Sequence, residues 1–193
     1  MTAIELMATA FGLASVVLTV RQNIWCWPTG LVMVVLYVWI FYQARLYSDM
    51  FLHVIYIGLS IYGWRCWASG DVRDGELLVV RLQWSSAVGW IVTGIVASAL
   101  LGYSMHRLTD ASLPYWDATT TVLSLIAQYL MARKVLESWL FWITVDVLAI
   151  GIYFVKELYV TSGLYTVFLA MATAGWLAWN RSIQQDRIEP AAA

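Results

Sequence analysis

The chain has 193 residues, of which 62% are hydrophobic and only 12% are charged, and its net charge is -1. Soluble domains carry about 25% charged residues, so this composition excludes an ordinary soluble domain and indicates a protein in lipid. The near-neutral charge disfavours a nucleic-acid partner, because phosphate binding needs a basic face. Two cysteines, Cys26 and Cys66, are too few for a disulfide framework and lack the spacing of metal ligands.

Long apolar stretches separated by short polar breaks predict transmembrane helices, since a bilayer core of about 30 Å takes about 20 helical residues. Seven stretches qualify, and they lie at about 3–20, 24–43, 50–68, 84–105, 116–132, 139–156 and 162–180. They are too long and too uniformly apolar for barrel strands. The first stretch is not a signal peptide, because Glu5 makes its start acidic and further helices follow directly. We predict an all-α membrane protein with one transmembrane domain, residues 1–182, and a polar tail, residues 183–193.

The distribution of basic residues predicts the orientation in the membrane. Eight lie on one side of the predicted helices: Arg21, Arg65, Arg73, Arg81, Arg133, Lys134, Arg181 and Arg187. Three lie on the other: Arg45, Arg107 and Lys156. The first side is therefore predicted to be cytoplasmic, with the N-terminus outside and the C-terminus inside.

The chain matches itself when it is shifted by 112 residues without a gap. Among the coincident pairs are Glu5 and Asp117, Thr9 and Thr121, Leu13 and Leu125, Arg21 and Arg133, Trp27 and Trp139, Leu46-Tyr47 and Leu158-Tyr159, Trp64 and Trp176, and Trp67 and Trp179. Helices 1–3 (about 3–68) and 5–7 (about 116–180) are therefore predicted to be two copies joined by a linker helix (about 84–105). With one helix between them, both copies run the same way through the membrane, as in the parallel repeats of some transporters.

Polar and aromatic residues recur at helical spacing on one face of helices 3, 5, 6 and 7. An ionisable residue in mid-membrane is a functional candidate by default, and Asp146 is the clearest case. The candidate substrate-binding residues are Gln128, Trp64, Trp176, Trp142, Asp146, Ser60, Tyr56, Ser124, Thr121 and Asn180. Trp67 and Trp179 are candidate gate or interface residues.

Several of these residues have simpler interpretations. Trp27, Trp67, Trp139 and Trp179 lie near the predicted cytoplasmic surface, where tryptophan belts are common. Thr121 and Ser124 could hydrogen-bond to their own helix, and His53 could be an interfacial residue. The pair Arg133-Lys134 is most simply a positive-inside anchor.

Aromatic walls with a few amide, hydroxyl and carboxylate groups suit a flat, polar or cationic heterocycle. A membrane enzyme is disfavoured, because neither His53 nor His106 has a Cys or His at metal spacing. No GxxxxGK loop is present, so ATP-driven transport by this chain alone is also disfavoured. A non-transporting receptor would not explain polar residues in both halves of a duplicated bundle. We expect no metal and no cofactor.

Six segments of the sequence resemble the PnuC family of bacterial vitamin transporters, in order and over nearly all of residues 3–180. They are RQNIWCWPTGL (21–31), LYSD (46–49), YGWRCW (62–67), PYWD (114–117), RKVLESW (133–139) and GLYTVFL (163–169).

The resemblance implies a 3+1+3 fold of seven helices, related in architecture to SWEET sugar transporters. It also implies facilitated diffusion of nicotinamide riboside across the inner membrane, with accumulation driven by phosphorylation in the cytoplasm, and assembly into trimers within membrane lipid. Related proteins carry thiamine, riboflavin or deoxynucleosides, so thiamine or another vitamin is the alternative substrate.

Overall fold

Seven helices make up almost all of the computed structural model, which describes residues 2–45, 47–69, 72–73, 76–109 and 112–188. The helices are α1 (Ala3–Val20), α2 (Cys26–Gln43), α3 (Tyr47–Ser69), α4 (Trp84–Leu108), α5 (Pro114–Ala132), α6 (Ser138–Val155) and α7 (Tyr159–Ile188). A short antiparallel hairpin, β1 (Val72–Arg73) and β2 (Glu76–Leu77), lies between α3 and α4. The predicted all-helical class is confirmed, and the hairpin is an addition to it.

Two predicted features fall partly outside the described residues. The first is Leu46 of the repeated Leu-Tyr pair, and the second is the end of the polar tail, residues 189–193. Within the described part of the tail, α7 continues to Ile188.

Five helices, α1, α2, α4, α6 and α7, are long and apolar enough to cross a membrane. The chain is therefore a multi-pass membrane protein. The other two helices, α3 and α5, are 23 and 19 residues long, but they are more polar along their length. They carry Tyr56, Ser60, Ser124 and Gln128, which are four of the candidate binding residues.

The turns at the helix ends repeat at the same offset of 112 residues. Four non-glycine residues have positive φ, and they form two pairs at this offset: Gln22 (56°) with Lys134 (54°), and Arg45 (58°) with Glu157 (59°). Each occupies the left-handed position that commonly ends a helix. After α1 the Asn23 N–H donates to Leu18 O at 2.9 Å, and after α5 the Val135 N–H donates to Leu130 O at 3.0 Å. These bonds also coincide at the offset, so the backbone turns are the same in both halves.

Helix packing forms a closed ring of six helices. Going round it, α1 contacts α2, α2 contacts α3, α3 contacts α5, α5 contacts α6, α6 contacts α7, and α7 contacts α1. The two contacts between the triplets, α3 with α5 and α1 with α7, exchange when each helix is replaced by its counterpart at the offset.

Helix α4 lies outside this ring and packs on α5. Its buried residues are Gly94, Ser98 and Gly102, a small-residue stripe of the kind that lets transmembrane helices approach closely. An added Cβ on Gly102 would lie 2.5 Å from the Tyr115 ring of α5. The remaining faces of α4 are apolar and exposed in the single chain, for example at Ile95 and Leu100.

Candidate functional site

Four tryptophans close one end of the helical ring. Trp27, Trp67, Trp139 and Trp179 are between 0% and 7% exposed. Trp27 meets Trp67 edge-on, with ring centroids 5.5 Å apart and planes at 84°, and Trp139 meets Trp179 with 5.5 Å and 85°. The interpretation of these residues as an interfacial belt was wrong, because their rings pack against one another instead of facing the membrane surface. We call this group the tryptophan end.

The indole groups of the tryptophan end tie the two triplets together. Trp67 Nε1 donates to Met131 O of α5 at 3.3 Å, and Trp179 Nε1 donates to Thr19 O of α1 at 3.1 Å. The rings of Trp67 and Trp179 also lie 6.0 Å apart. The two residues that were predicted as a gate are therefore in contact where α3 and α7 meet.

A buried lysine lies over this cluster. Lys134 is 4% exposed, and its Nζ lies 4.9 Å from the centroid of the Trp67 ring. Such a distance allows a cation–π interaction. As an anchor residue Lys134 would point outward to the headgroups, but its side chain points into the tryptophan end.

The segment before α4 crosses the same end. The Val80 N–H donates to Lys134 O at 3.1 Å, and the Leu136 N–H donates back to Val80 O at 2.9 Å. The Leu82 N–H donates to Glu137 Oε2 at 2.9 Å. The α3–α4 connection is thus fastened to the α5–α6 turn.

Asn180 is also at this end, where its Oδ1 accepts a hydrogen bond of 2.5 Å from Arg81 Nη2. This position is about 18 Å along the bundle from the level of Tyr56, at 1.5 Å per helical residue. The structure therefore does not bring Asn180 together with the polar residues in the middle of the bundle.

The middle of the bundle holds a hydrogen-bonded pair between the triplets. Tyr56 Oη of α3 and Ser124 Oγ of α5 are 2.5 Å apart. Ser124 is buried and Tyr56 is half-buried. Ser124 Oγ also donates to Thr121 O in its own helix at 2.9 Å. Two predicted binding residues from distant parts of the chain are thus in direct contact.

Asp146 lies at about the same depth. Both Asp146 and Ser124 are about 12 Å from the tryptophan-end terminus of their helices. Asp146 is 4% exposed, and its carboxylate has no hydrogen-bond or ion-pair partner among the described residues. It interacts electrostatically with Tyr165 of α7, and Tyr165 interacts in the same way with Tyr56. A buried carboxylate without a partner is costly in the apo protein, so a cationic ligand would stabilise it.

Aromatic rings surround this level toward the opposite end of the bundle. The His53 ring lies 4.9 Å from Phe41, 5.5 Å from Tyr37 and 5.7 Å from Tyr56. At the offset of 112 residues, Tyr153 and Tyr165 stack with centroids 5.3 Å apart. His53 is half-buried, and within the described chain its neighbours are rings rather than charged groups.

The remaining predicted residues occupy intermediate positions. Trp142 and Trp176 pack against the tryptophan cluster, and Ser60 is buried. Gln128 is half-buried one turn from Ser124, and Thr121 is half-buried one turn on the other side. Trp64 is 41% exposed.

Sequence reasoning missed Lys134 as an inward-pointing group and the aromatic set of Tyr37, Phe41 and His53. A usable signal was present for Phe41 and His53, because they coincide with Tyr153 and Tyr165 at the offset.

Known proteins similar to this chain are transporters. The chain is 28% identical to the nicotinamide riboside transporter PnuC of Escherichia coli, over 94% of this chain and 87% of that protein. It is 27% identical to the PnuC of Neisseria mucosa, over 93% and 72%. The riboflavin/roseoflavin transporter RibM of Streptomyces davaonensis is 22% identical, over 94% and 86%.

A solved structure has the same fold. The crystal structure of the vitamin B3 transporter PnuC superimposes with a TM-score of 0.75 at 24% identity, covering 93% of this chain and 81% of that one. The sequence pattern of the nicotinamide mononucleotide transporter family matches residues 2–181. The chain is therefore a membrane transporter, not an enzyme, and belongs to the nicotinamide mononucleotide transporter family.

Proposed function

We propose that this protein carries nicotinamide riboside across the bacterial inner membrane, through the ring formed by α1–α3 and α5–α7. The observation that carries the proposal is the buried, unpaired Asp146 beside hydroxyl and aromatic groups at mid-depth. Nicotinamide riboside combines a flat cationic ring with a hydroxylated arm, which matches this set of groups. Relatives that match nearly the whole chain are named as transporters of this compound.

The family name refers to the mononucleotide, which carries a phosphate that the riboside lacks. Phosphate recognition uses Arg, Lys or a helix N-terminus. The described residues at the level of Tyr56 and Ser124 include the acidic Asp146 and no basic side chain, and Lys134 lies at the tryptophan end. This electrostatic pattern favours the riboside over the mononucleotide.

We further propose a 3+1+3, SWEET-like architecture. In it, residues of about 3–68 and 116–180 are two copies related by a rotation about an axis along the membrane normal, with α4 as the linker. The equal left-handed turns, the matched tryptophan pairs and the exchange of helix contacts support it. The substrate then binds between the copies, and Trp67 with Trp179 closes its cytoplasmic exit.

Transport is proposed to be passive, with accumulation driven by phosphorylation of the product inside the cell. The sequence has no phosphate-binding loop for ATP. The positive-inside distribution of Lys and Arg supports a cytoplasmic C-terminus. The exposed apolar faces of α4 are available for lipid or for the partners of a trimer.

Riboflavin is the second candidate substrate, because RibM matches the chain over 94% of its length. Riboflavin has a flat ring and a hydroxylated arm, but its ring system is neutral. Thiamine, which is cationic, is a third possibility on chemical grounds.

A flux assay with the purified protein in liposomes tests the proposal. We expect saturable uptake of labelled nicotinamide riboside into empty vesicles, with weaker competition by thiamine and riboflavin. Uptake should persist when the proton and sodium gradients are collapsed. Flux no greater than in protein-free vesicles, or preferential uptake of riboflavin, would contradict the proposal, and a clear drop on collapse of a gradient would make Asp146 a coupling site instead.

A further inference from the structure

The polar groups at mid-depth are distributed unequally between the two halves of the ring. Each of five polar residues has an apolar counterpart at the offset of 112 residues. The pairs are Tyr56 and Phe168, Ser60 and Ala172, Ser124 and Gly12, Gln128 and Val16, and Asp146 and Val34.

The five polar residues belong to α3, α5 and α6, which are consecutive in the ring, and the five apolar ones to α7, α1 and α2, which are also consecutive. The equal turns show that the backbone is nearly the same in both halves. The side chains therefore divide the ring into a polar arc, α3–α5–α6, and an apolar arc, α7–α1–α2.

The hydrogen-bonding order within the polar arc is fixed by the number of available protons. A serine hydroxyl has a single proton, and that of Ser124 is directed at Thr121 O, which can only accept. In the 2.5 Å contact with Tyr56, Ser124 Oγ must therefore accept and Tyr56 must donate. Tyr56 Oη, with its proton used, keeps lone-pair capacity for one more bond. In such a chain each bond polarises the next, so this oxygen becomes a better acceptor.

From this geometry we infer that Tyr56 is a specificity-determining residue whose phenolic oxygen accepts a hydrogen bond from a ribose hydroxyl of the substrate. This inference rests on the proposed function and deepens it. Ser124 is a positioning residue, because it takes the Tyr56 proton and so makes Tyr56 an acceptor. On the opposite arc the counterparts Phe168 and Gly12 have no side-chain polar atom, so the hydroxylated arm is held against α3 and α5. The ligand is thus bound in one orientation although the backbone is repeated.

The test measures binding by calorimetry on the full-length detergent-purified protein. The ligands are nicotinamide riboside and analogues with the 2′ or the 3′ hydroxyl replaced by hydrogen or by fluorine. The unaltered protein should bind the riboside more tightly than at least one deoxy analogue. Tyr56→Phe should weaken riboside binding by about 5- to 20-fold, the range of one hydrogen bond, and should abolish the preference over that analogue. Tyr62→Phe is the control, because this tyrosine is on the same helix and stacks on Tyr129 with centroids 6.0 Å apart.

A second variant tests the proton order. Ser124→Ala releases the Tyr56 proton, so Tyr56 can donate to the ligand. The penalty for the fluorine analogue, which cannot donate, should then shrink relative to the unaltered protein. Equal weakening of the riboside and every analogue by Tyr56→Phe, or no weakening at all, overturns the inference while leaving the proposed function intact. An unaltered protein that does not bind nicotinamide riboside overturns both.

Discussion

Trp67 and Trp179 each donate an indole N–H to the last turns of a helix in the opposite triplet, at 3.3 Å to Met131 O and at 3.1 Å to Thr19 O. Their neighbours Trp27 and Trp139 bury the same group, but with no acceptor among the described residues. The four rings are therefore chemically alike and differ in what their N–H groups do. Closure at this end depends on the first pair for its hydrogen bonds and on the second pair for its packing.

This difference gives a stability prediction. Trp179→Phe should lower the free energy of unfolding more than Trp139→Phe does, by about 1 kcal/mol, because both lose ring volume but only Trp179 loses a hydrogen bond. Thermal unfolding of the two purified variants in the same detergent measures the difference. An equal loss in both would mean that the Trp179 bond to Thr19 contributes nothing to stability.

Glycines below the tryptophans allow the same packing in both triplets. A Cβ added to Gly63 would overlap the Trp27 ring, and one added to Gly175 would overlap the Trp139 ring. We expect Gly63→Ala and Gly175→Ala each to destabilise the protein by about 1–3 kcal/mol, as overpacking does in cores.

Matched controls lie on the same two helices. Gly58 in α3 and Gly163 in α7 have nothing within 4 Å of an added Cβ, so their alanine variants should be neutral or slightly more stable, because alanine is the better helix former. Melting temperatures decide between the two groups. If the control variants melt as low as the Gly63 and Gly175 variants, helix flexibility rather than ring contact is the reason for these glycines.

The sequence predicted much of this architecture, because membrane helices are marked by apolar length and the repeat is marked by coincident residues. It did not predict the burial of Trp27, Trp67, Trp139 and Trp179. Helical periodicity gives the face of a residue, but whether that face meets lipid or another helix depends on packing between distant segments. Lys134 shows the same limit, since a lysine beside an arginine at a helix end indicates an anchor until the position of Trp67 is known.

The partner of Tyr56 was also beyond sequence reasoning. Tyr56 and Ser124 were both selected by their spacing on helical faces, but their contact depends on which faces of α3 and α5 meet. The asymmetry between the two arcs can be read from the printed sequence once the offset of 112 residues is applied, although its position around the ring needs the helix contacts.

Asp146 should favour cationic ligands. Replacement by the neutral isostere, Asp146→Asn, should weaken binding of nicotinamide riboside by roughly tenfold, about 1.4 kcal/mol, which is a modest value for one charge pair at the effective dielectric of a protein. Binding of the reduced riboside, whose ring is neutral, should change little. Calorimetry with both ligands separates loss of charge from loss of shape.

Asp117→Asn is the control for that experiment. Asp117 pairs with Lys156 at 3.4 Å, and both side chains are about one-third exposed. Its replacement should leave both affinities unchanged, because the pair lies at a helix end away from Asp146. Equal weakening of the oxidised and the reduced ligand by Asp146→Asn would show that Asp146 supports the fold of the site and not its charge preference.

The paired tryptophans Trp64 and Trp176 give the last prediction. They coincide at the offset of 112 residues and lie one turn deeper in the bundle than Trp67 and Trp179. Stacking of a base on an aromatic side chain is worth about 1–3 kcal/mol in nucleic-acid sites. By that analogy, Trp64→Ala and Trp176→Ala should each weaken nicotinamide riboside binding by about 5- to 150-fold.

The comparison uses Trp25→Ala as control, because Trp25 is 64% exposed, whereas Trp64 is 41% exposed and Trp176 is half-buried against the tryptophan cluster. Trp176→Tyr keeps a ring in place and should recover most of the affinity, which separates loss of stacking from disruption of the cluster. Calorimetry on variants with unchanged melting temperature gives the answer. If Trp25→Ala weakens binding and the two deeper variants do not, the repeated tryptophans at 64 and 176 anchor the helices and take no part in holding the substrate.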